Sequence, residues 1–441
     1  MLRGRRPECG DILRIARRNT GARNGRITAA ALACAHLGVV SVAAGQVGIR
    51  EIPLLPLPNL LQSSGEAVTP DGSKVVGYCG YTNSVTLLVN AKPIEWTVQG
   101  GTVTPAGFPA NRLHATFHAV SGNGQVAAGF GYDGAFTLRT PAGFQFPSIG
   151  SSDQPRVQSV SRDGTTVVGF VIPSFAFRWT ATGGFQTLPG ANAWAMCVSE
   201  DGRVIGGRSS AGATRWVDGV AHHFTESGSG EALTPDGLTM VGWSGIPGQQ
   251  TRAWRWTFGG LGQELPTAIE LPVTAGPDLE LRACLALGVS DDGSVIVGRC
   301  HTNNPAVPVQ NQVTAAVIWT DNLGAVDLNR YLPAIGIDLT GWDLRRARGV
   351  SANGRVIAGN GFLNGQARGF VLTLPDRLCA TADFNNDGDT GTDQDIEAFF
   401  ACLGGNCCGS CFPTADFNGD GDAGTDQDIE SFFRVLGGHA C

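Results

Sequence analysis

Seven times between residues 66 and 360 the chain repeats one pattern: a small apolar strand ending in Ser or Thr, a turn built on Asp-Gly or Asn-Gly, a second strand and a closing Gly. The units read EAVTPDGSKVVGY, HAVSGNGQVAAGF, QSVSRDGTTVVGF, MCVSEDGRVIGGR, EALTPDGLTMVGW, LGVSDDGSVIVGR and RGVSANGRVIAGN. Asp-Gly and Asn-Gly reach the positive φ values of a tight hairpin turn, and β-branched alternation on either side makes the strands. The turn glycines (Gly72, Gly124, Gly164, Gly202, Gly237, Gly293 and Gly354) lie 52, 40, 38, 35, 56 and 61 residues apart. A third strand with an aromatic follows each hairpin, as in PIEWTV, AFRWT and AVIWT, and a fourth follows a Gly turn, as in GGFQTLP. Four strands in about 40–60 residues is what one propeller blade requires.

The chain therefore reads as all-β: a seven-bladed β-propeller over residues 46–378, with REIPLLPLP near residue 50 supplying the leading strand of the first blade. A β-solenoid is the alternative, although its repeats are shorter and more uniform, and a two-sheet sandwich fits seven units poorly. Abundant glycine (63) and few charged residues (16%) suit short strands and tight turns rather than a helical bundle. The VSxDGxxVVG signature, recurring through residues 50–375, resembles the HAF family of extracellular repeats. That resemblance implies a secreted β-repeat domain and no agreed activity.

Charge is distributed unevenly. Residues 379–441 hold twelve Asp and Glu against Arg434, whereas the first 27 residues hold eight Arg against Glu8 and Asp11. The stretch between is near neutral, so no basic stripe serves nucleic acid. The Arg-rich start precedes the apolar run AAALACAHLGVVSVAA, which reads as a signal peptide over residues 1–45 with cleavage after Ala44 or Gly45. An anchor helix is the alternative, the run being short for a bilayer span. The expected location is secreted or cell-surface, where cysteines pair. Cys284 and Cys300 flank one hairpin and can bridge it; Cys379, Cys402, Cys407, Cys408, Cys411 and Cys441 crowd the tail. A zinc site from Cys407, Cys408 and Cys411 is the other reading, without the usual paired spacing.

Two nearly identical segments in the tail, ADFNNDGDTGTDQDIEAFFACLGG and ADFNGDGDAGTDQDIESFFRVLGG, lie 33 residues apart. Asp383, Asn385 and Asp387 stand at positions 1, 3 and 5 of a calcium loop, with Gly388 at the sharp turn; Asp416, Asn418, Asp420 and Gly421 repeat this. Position 12 holds Gln394 or Gln427 rather than a carboxylate. One inserted residue near Gly391 and Gly424 makes Asp395 and Asp428 the closing ligands, with Asp389 and Asp422 offering backbone carbonyls. Asp393 and Asp426 are the alternative ligands, direct or through water. Two calcium sites are expected. A helix follows each loop, with Ile396, Phe399, Phe400 and Leu403, and Ile429, Phe432, Phe433 and Leu436, forming apolar stripes. A duplicated loop plus one helix resembles a dockerin, and the Gly- and Cys-rich form resembles the GC-type variety. The resemblance implies that residues 379–441 form a small α-helical, EF-hand-like calcium domain that docks a cohesin-like or cell-surface anchoring protein.

The function expected is a secreted, non-enzymatic propeller that binds a carbohydrate or protein ligand and carries an anchoring module. The alternatives are a polysaccharide-degrading hydrolase with a dockerin, or a structural surface protein. The sequence has no HExxH, GxSxG or phosphate loop, and no acid pair stands out for glycoside hydrolysis. Adjacent His222 and His223 point to opposite faces if on a strand. His114 and His118 would share a face only on a helix, where loop and strand are predicted. Arg178, Arg215 and Arg255 precede repeat tryptophans and read as structural, as do the turn acids Asp71, Asp163, Asp201, Asp236 and Asp292. Function is expected in the irregular segments 79–93, 261–282 and 301–313, projecting from one face.

Overall fold

The computed structural model describes residues 46–441 except 83–87, 98–99, 111, 113, 132–133, 150–153, 173–174, 226, 246–250, 262–265, 272–274, 277–278, 303–313, 386, 388, 409–411, 413 and 440–441. The expected signal peptide, residue Gly388 and the tail cysteines Cys411 and Cys441 lie outside the described residues.

The repeat folds as read, into seven antiparallel sheets of a β-propeller. Six blades take their strands consecutively: Gln62–Val68 to Gly101–Val103, Ala119–Val120 to Gly143–Gln145, Pro155–Val160 to Gly184–Thr187, Trp194–Val198 to Val220–His223, Ser229–Leu233 to Thr267–Glu270, and Leu279–Val289 to Gly324–Asp327 with an added strand Ala275–Gly276. The seventh blade uses Trp342–Val350, Val356–Leu363 and Gln366–Thr373, and its outer strand is Gly48–Ile52 from the other end of the chain. This corrects the sequence reading, which gave that segment to the first blade. Pairing Gly48 with Thr373 and Ile52 with Gly369 closes the ring and covers a free sheet edge. Ile52 is fully buried in the cluster that joins the first and seventh blades.

Each hairpin is held by one polar clip. In the first blade Thr69 Oγ1 donates to Asp71 Oδ1 at 2.6 Å, Asp71 Oδ1 accepts Ser73 N–H at 3.0 Å, and Thr69 Oγ1 accepts Lys74 N–H at 3.1 Å. Ser161 with Asp163, Ser199 with Asp201, Thr234 with Asp236 and Ser290 with Asp292 repeat it, and Asn123 and Asn353 replace the acid in the second and seventh blades. These contacts account for the repeated Ser/Thr and Asp as turn chemistry. The closing glycine answers to a different constraint. A Cβ at Gly77 would land on the Ser64 carbonyl oxygen, and one at Gly359 on that of Arg346.

Antiparallel alternation places every Asp-Gly turn on one face, the turn face. Connections between second and third strands, and from blade to blade, lie on the opposite loop face. The tail adds helices α2 (Asp393–Leu403) and α3 (Asp426–Leu436), and a short α1 (Leu328–Ala334) follows the sixth blade. Phe384, Phe399, Phe412, Phe417 and Phe432 share one buried cluster with Ile318, Leu332, Phe370 and Leu372. Tyr331 Oη donates to the Cys379 carbonyl at 2.8 Å, and Asn322 links the Leu378 carbonyl to Thr414. The tail thus shares its core with the sixth and seventh blades. The expected stripes are narrower than read. Phe399 and Phe432 are buried and stacked at 4.2 Å, while Phe400 and Phe433 are 46% and 48% exposed.

Disulfide Cys284–Cys300 bridges its hairpin as expected, and Cys402 pairs with Cys407. Cys379 and Cys408 are also disulfide-bonded. Cys407 and Cys408 are therefore not available as zinc thiolates, and that alternative falls.

Candidate functional site

The site of greatest chemical diversity lies on the propeller axis. In six inner strands the register slips by one at the same place: between Gly65 and Ala67, Val157 and Ser159, Ala195 and Cys197, Gly230 and Ala232, Ala286 and Gly288, and Ala347 and Gly349. In the second blade the extra residue falls between the Ala115–Gly131 and Ala119–Ala128 pairs. A β-bulge re-aims the side chain it carries and bends its strand. The seven bulged residues are Glu66, His118, Gln158, Met196, Glu231, Leu287 and Arg348, and they line a cavity of about 200 Å³ on the axis. Backbone repeats sevenfold here, but the side chains do not. The closing glycines sit where the second strand meets the bulge, which explains their recurrence.

Arg348 ties four blades together across the channel. Its Nη1 lies 2.6 Å from Glu66 Oε2, its Nη2 donates to Gln158 Oε1 at 3.2 Å, and His118 Nδ1 lies 3.6 Å from the same Glu66 oxygen. Ser64 Oγ donates to Glu66 Oε1 at 2.7 Å. Burial alone would raise the Glu66 carboxyl, but Arg348, with the His118 hydrogen bond, Arg346 and the His118 charge, holds it well below its ordinary value. Burial lowers the His118 pKa, partly countered by Glu66. An ionised carboxylate therefore faces an imidazole that favours its neutral form. Tyr78 stands beside them, 6.2 Å from His118 between ring centres, its phenol raised by burial and by the Glu66 charge. Further along the wall Trp243 Nε1 donates to Glu231 Oε1 at 3.0 Å, and the Arg208 guanidinium lies 3.7 Å from the Trp194 ring centre.

The sequence reading missed this ring. Its signal was one of the freely varying positions in the repeat, the residue two before the Val or Leu that precedes the turn Ser or Thr, which differs in nearly every unit. His114 and His118 were expected to share a face only on a helix, yet both approach the Phe130 ring, at 6.1 and 5.0 Å, from an extended segment, where residues four apart lie on one side. His222 and His223 occupy successive strand positions opposite Arg215 and Thr214, and His223 Nδ1 lies 3.0 Å from Thr214 Oγ1. Arg215 is buried and donates to the Gly237 and Gly260 carbonyls, and Arg255 pairs with Asp321 at 3.2 Å. The described parts of the expected projecting segments include continued strand pairing: Tyr81 pairs with Val89, and Thr267–Glu270 is the fourth strand of the fifth blade. Residues 303–313 lie outside the described residues.

In the tail, the second loop curls around its acids. Asp416 accepts the N–H groups of Asp420 and Gly421 at 3.0 and 2.9 Å, and Asn418 Oδ1 accepts that of Asp420 at 2.8 Å. Asp420 Oδ1 accepts the Asp422 N–H at 3.0 Å. In the first loop Asn385 Oδ1 accepts the Asp387 N–H, and Asp387 Oδ1 that of Asp389. Asp383 lies 3.7 Å from Arg330, and Asp420 4.0 Å from Arg377. Asp395 and Asp428 are fully buried. Each closes a capping box on Thr392 or Thr425 and also accepts the N–H of Asn385 or Asn418 from the loop, at 3.2 Å. Asp393 and Asp426 open the helices on the exposed side. Among the described residues, no group of three His, Cys, Asp or Glu side chains stands converged as a metal site.

No family model matches the chain, and no curated protein matches it in sequence. Its fold is similar to that of an oligogalacturonate lyase from Vibrio parahaemolyticus, at 14% identity over 76% of this chain and 95% of that one, with a TM-score of 0.51. It is also similar to U3-55K, at 15% identity over 74% of this chain and 98% of that one, with a TM-score of 0.46. At such identities the likeness concerns the propeller fold alone.

Proposed function

We propose that the protein is an exported, non-enzymatic binding protein whose propeller takes a glycan or protein ligand at the axial channel, and whose tail is a calcium-stabilised, dockerin-like anchoring module. One observation carries the first part: seven equivalent bulge positions hold a carboxylate pair, an arginine, a histidine, an amide and two apolar residues. A scaffold has no need to vary them, whereas a concave site with a few convergent polar groups is how ligands are held. A glycan array and partner capture with the full chain should give a signal that Glu66→Gln and His118→Ala diminish. A signal indifferent to both variants removes the channel from the reading.

The donor chemistry of the tail supports the second part. Each loop offers carboxylates, an Asn amide and backbone carbonyls, hard oxygen donors suited to Ca²⁺. Asp383, Asn385, Asp387 and Asp395 would hold one ion, and Asp416, Asn418, Asp420 and Asp428 the other. The ion would neutralise acids crowded on a module of net charge −11. Exposed Phe400 and Phe433, 6.3 Å apart between ring centres, are the apolar surface such a module would offer a cohesin-like or cell-surface partner.

Catalysis on a polysaccharide is a second reading, favoured by the grouping of Glu66, His118 and Tyr78, a carboxylate, an imidazole and a phenol at one point of the channel. Sugar release or unsaturated product formed by the wild type and abolished by His118→Ala would establish it in place of simple binding.

A further inference from the structure

A buried guanidinium that only serves the fold has its acceptors in the fold. Arg215 comes close to this: it is as buried as the core tryptophans, and the Gly237 and Gly260 carbonyls accept from its Nη1 and Nη2, although its Nε has no partner among the described residues. The axial arginines divide differently. Arg348 is fully engaged by Glu66 and Gln158. The Nε atoms of Arg156, Arg299 and Arg346 are likewise buried without a partner, and in these three no Nη bond to a protein acceptor among the described residues compensates, as it does in Arg215.

Arg156 and Arg346 lie two residues before the bulge residues Gln158 and Arg348 on inner strands, away from the turns, and Arg299 pairs with Leu285, two residues before the bulge residue Leu287. Arg346 lies two residues before Arg348 on the same inner strand, paired with Asn360. It interacts electrostatically with Arg348, Glu66 and Arg299, and burial with the neighbouring Arg348 brings its guanidinium down to about 10. Arg299, opposite Leu285 in the sixth blade, interacts with Glu231, and burial lowers its pKa too. In the third blade Arg156 stands 5.3 Å from the Phe130 ring, which stacks on His118. The carboxylates nearby are already committed, Glu66 to Ser64, Arg348 and His118, and Glu231 to Trp243. Two like-charged, desolvated guanidiniums without acceptors destabilise a fold, and an anion between them removes the cost.

We propose that the loop-face half of the axial channel is an oxyanion site, in which Arg299 and Arg346 hold a carboxylate or phosphate group of the ligand and Arg156 faces it across the channel. This rests on the reading that the propeller binds its ligand on the axis, and it adds the chemical class. Guanidinium forks match planar and tetrahedral oxyanions in two-pronged hydrogen bonds, which a lysine would not reproduce.

The test uses the full chain, with tryptophan fluorescence following titration by inorganic phosphate, acetate, a hexuronate and, as neutral control, the corresponding hexose. The hexuronate and acetate report a carboxylate site and phosphate a phosphoryl site. At least one should saturate, with affinity falling tenfold or more in Arg346→Lys and vanishing in the Arg299→Met/Arg346→Met double variant. Without added anion, Arg346→Met should raise the melting temperature, whereas Arg215→Met should lower it. A melting temperature that falls in Arg346→Met, or oxyanion binding untouched by the double variant, overturns the site. If only the neutral hexose binds, and Glu66→Gln abolishes it, the axial ligand stands and the oxyanion assignment fails.

Discussion

Arg162 in the third blade and Asp291 in the sixth form a two-pronged ion pair, with Arg162 Nη1 2.6 Å from Asp291 Oδ2. These blades are not neighbours, so the pair spans the mouth of the channel on the turn face. Both residues hold the variable place between the Ser and Asp of the repeated turn. Main-chain hydrogen bonds join the same places of adjacent blades, among them Gly122 N–H to the Arg162 carbonyl at 2.8 Å and Ala352 N–H to that of Pro70 at 2.9 Å. The turn face is thereby cross-braced, which under the proposed function leaves the loop face as the approach to the bulge ring.

Because both side chains remain about a third exposed, the bridge contributes little to stability. Arg162→Ala should cost under about 1 kcal/mol in urea denaturation, and the difference should shrink at about 1 M salt. A loss of several kcal/mol would show that the pair is desolvated.

Closing glycines and surface glycines should respond oppositely to alanine. Gly77→Ala drives a Cβ into the Ser64 carbonyl and should cost about 3 kcal/mol or more. Gly260→Ala meets nothing within 4 Å and should be neutral to slightly stabilising. Thermal denaturation of the two variants separates these outcomes.

Ring closure depends on the first described strand. Ile52→Ala should cost about 2–4 kcal/mol, and removal of residues through 52 should broaden the unfolding transition by exposing the Gln366–Thr373 edge. Unchanged cooperativity in calorimetry after truncation would show that the ring does not need it.

Glu66 gives the fold an acid limb. Its carboxyl is held below its ordinary value of 4.5, so its contribution is present above that value and is lost as pH falls through the lower, folded value. The wild type should lose stability steeply below pH 4.5. Glu66→Gln should flatten this limb while lowering stability at neutral pH, where Arg348 loses its charged partner. Urea midpoints measured between about pH 3 and 7 would reveal either slope.

In the tail, calcium calorimetry should find two sites. Asp395→Asn and Asp428→Asn should weaken them at least tenfold, whereas Asp393→Asn and Asp426→Asn should change them about twofold or less. The buried carboxylates reach the loop backbone and the exposed ones do not. Equal effects would return Asp393 and Asp426 to the ligand set.

Local chemistry made much of this legible. Asp-Gly turns set seven hairpins, their clips used the Ser, Thr and Asp of the repeat, and Cys284 and Cys300 faced each other because hairpin register fixes cross-strand pairs. The loop-then-helix order of the tail followed from the calcium-loop spacing of Asp383, Asn385 and Asp387 and the apolar stripe that begins at Ile396, repeated 33 residues on. Less legible was the second Phe of each tail helix, where a helical stripe says which residues are neighbours but not which of them another element covers.

The sequence by itself determined the number of hairpin units, the strand order within six blades and the turns, since each is settled by residues close together in the chain. Tertiary structure alone decided three matters that depend on residues far apart. Gly48–Ile52 closes the seventh blade because an open edge must find a partner about 320 residues away. The tail rests on the sixth and seventh blades because its small phenylalanine core is completed by theirs. And Glu66, His118, Gln158 and Arg348 meet because a bulge in each inner strand aims one side chain at the axis, where closure of the ring brings them within hydrogen-bonding reach.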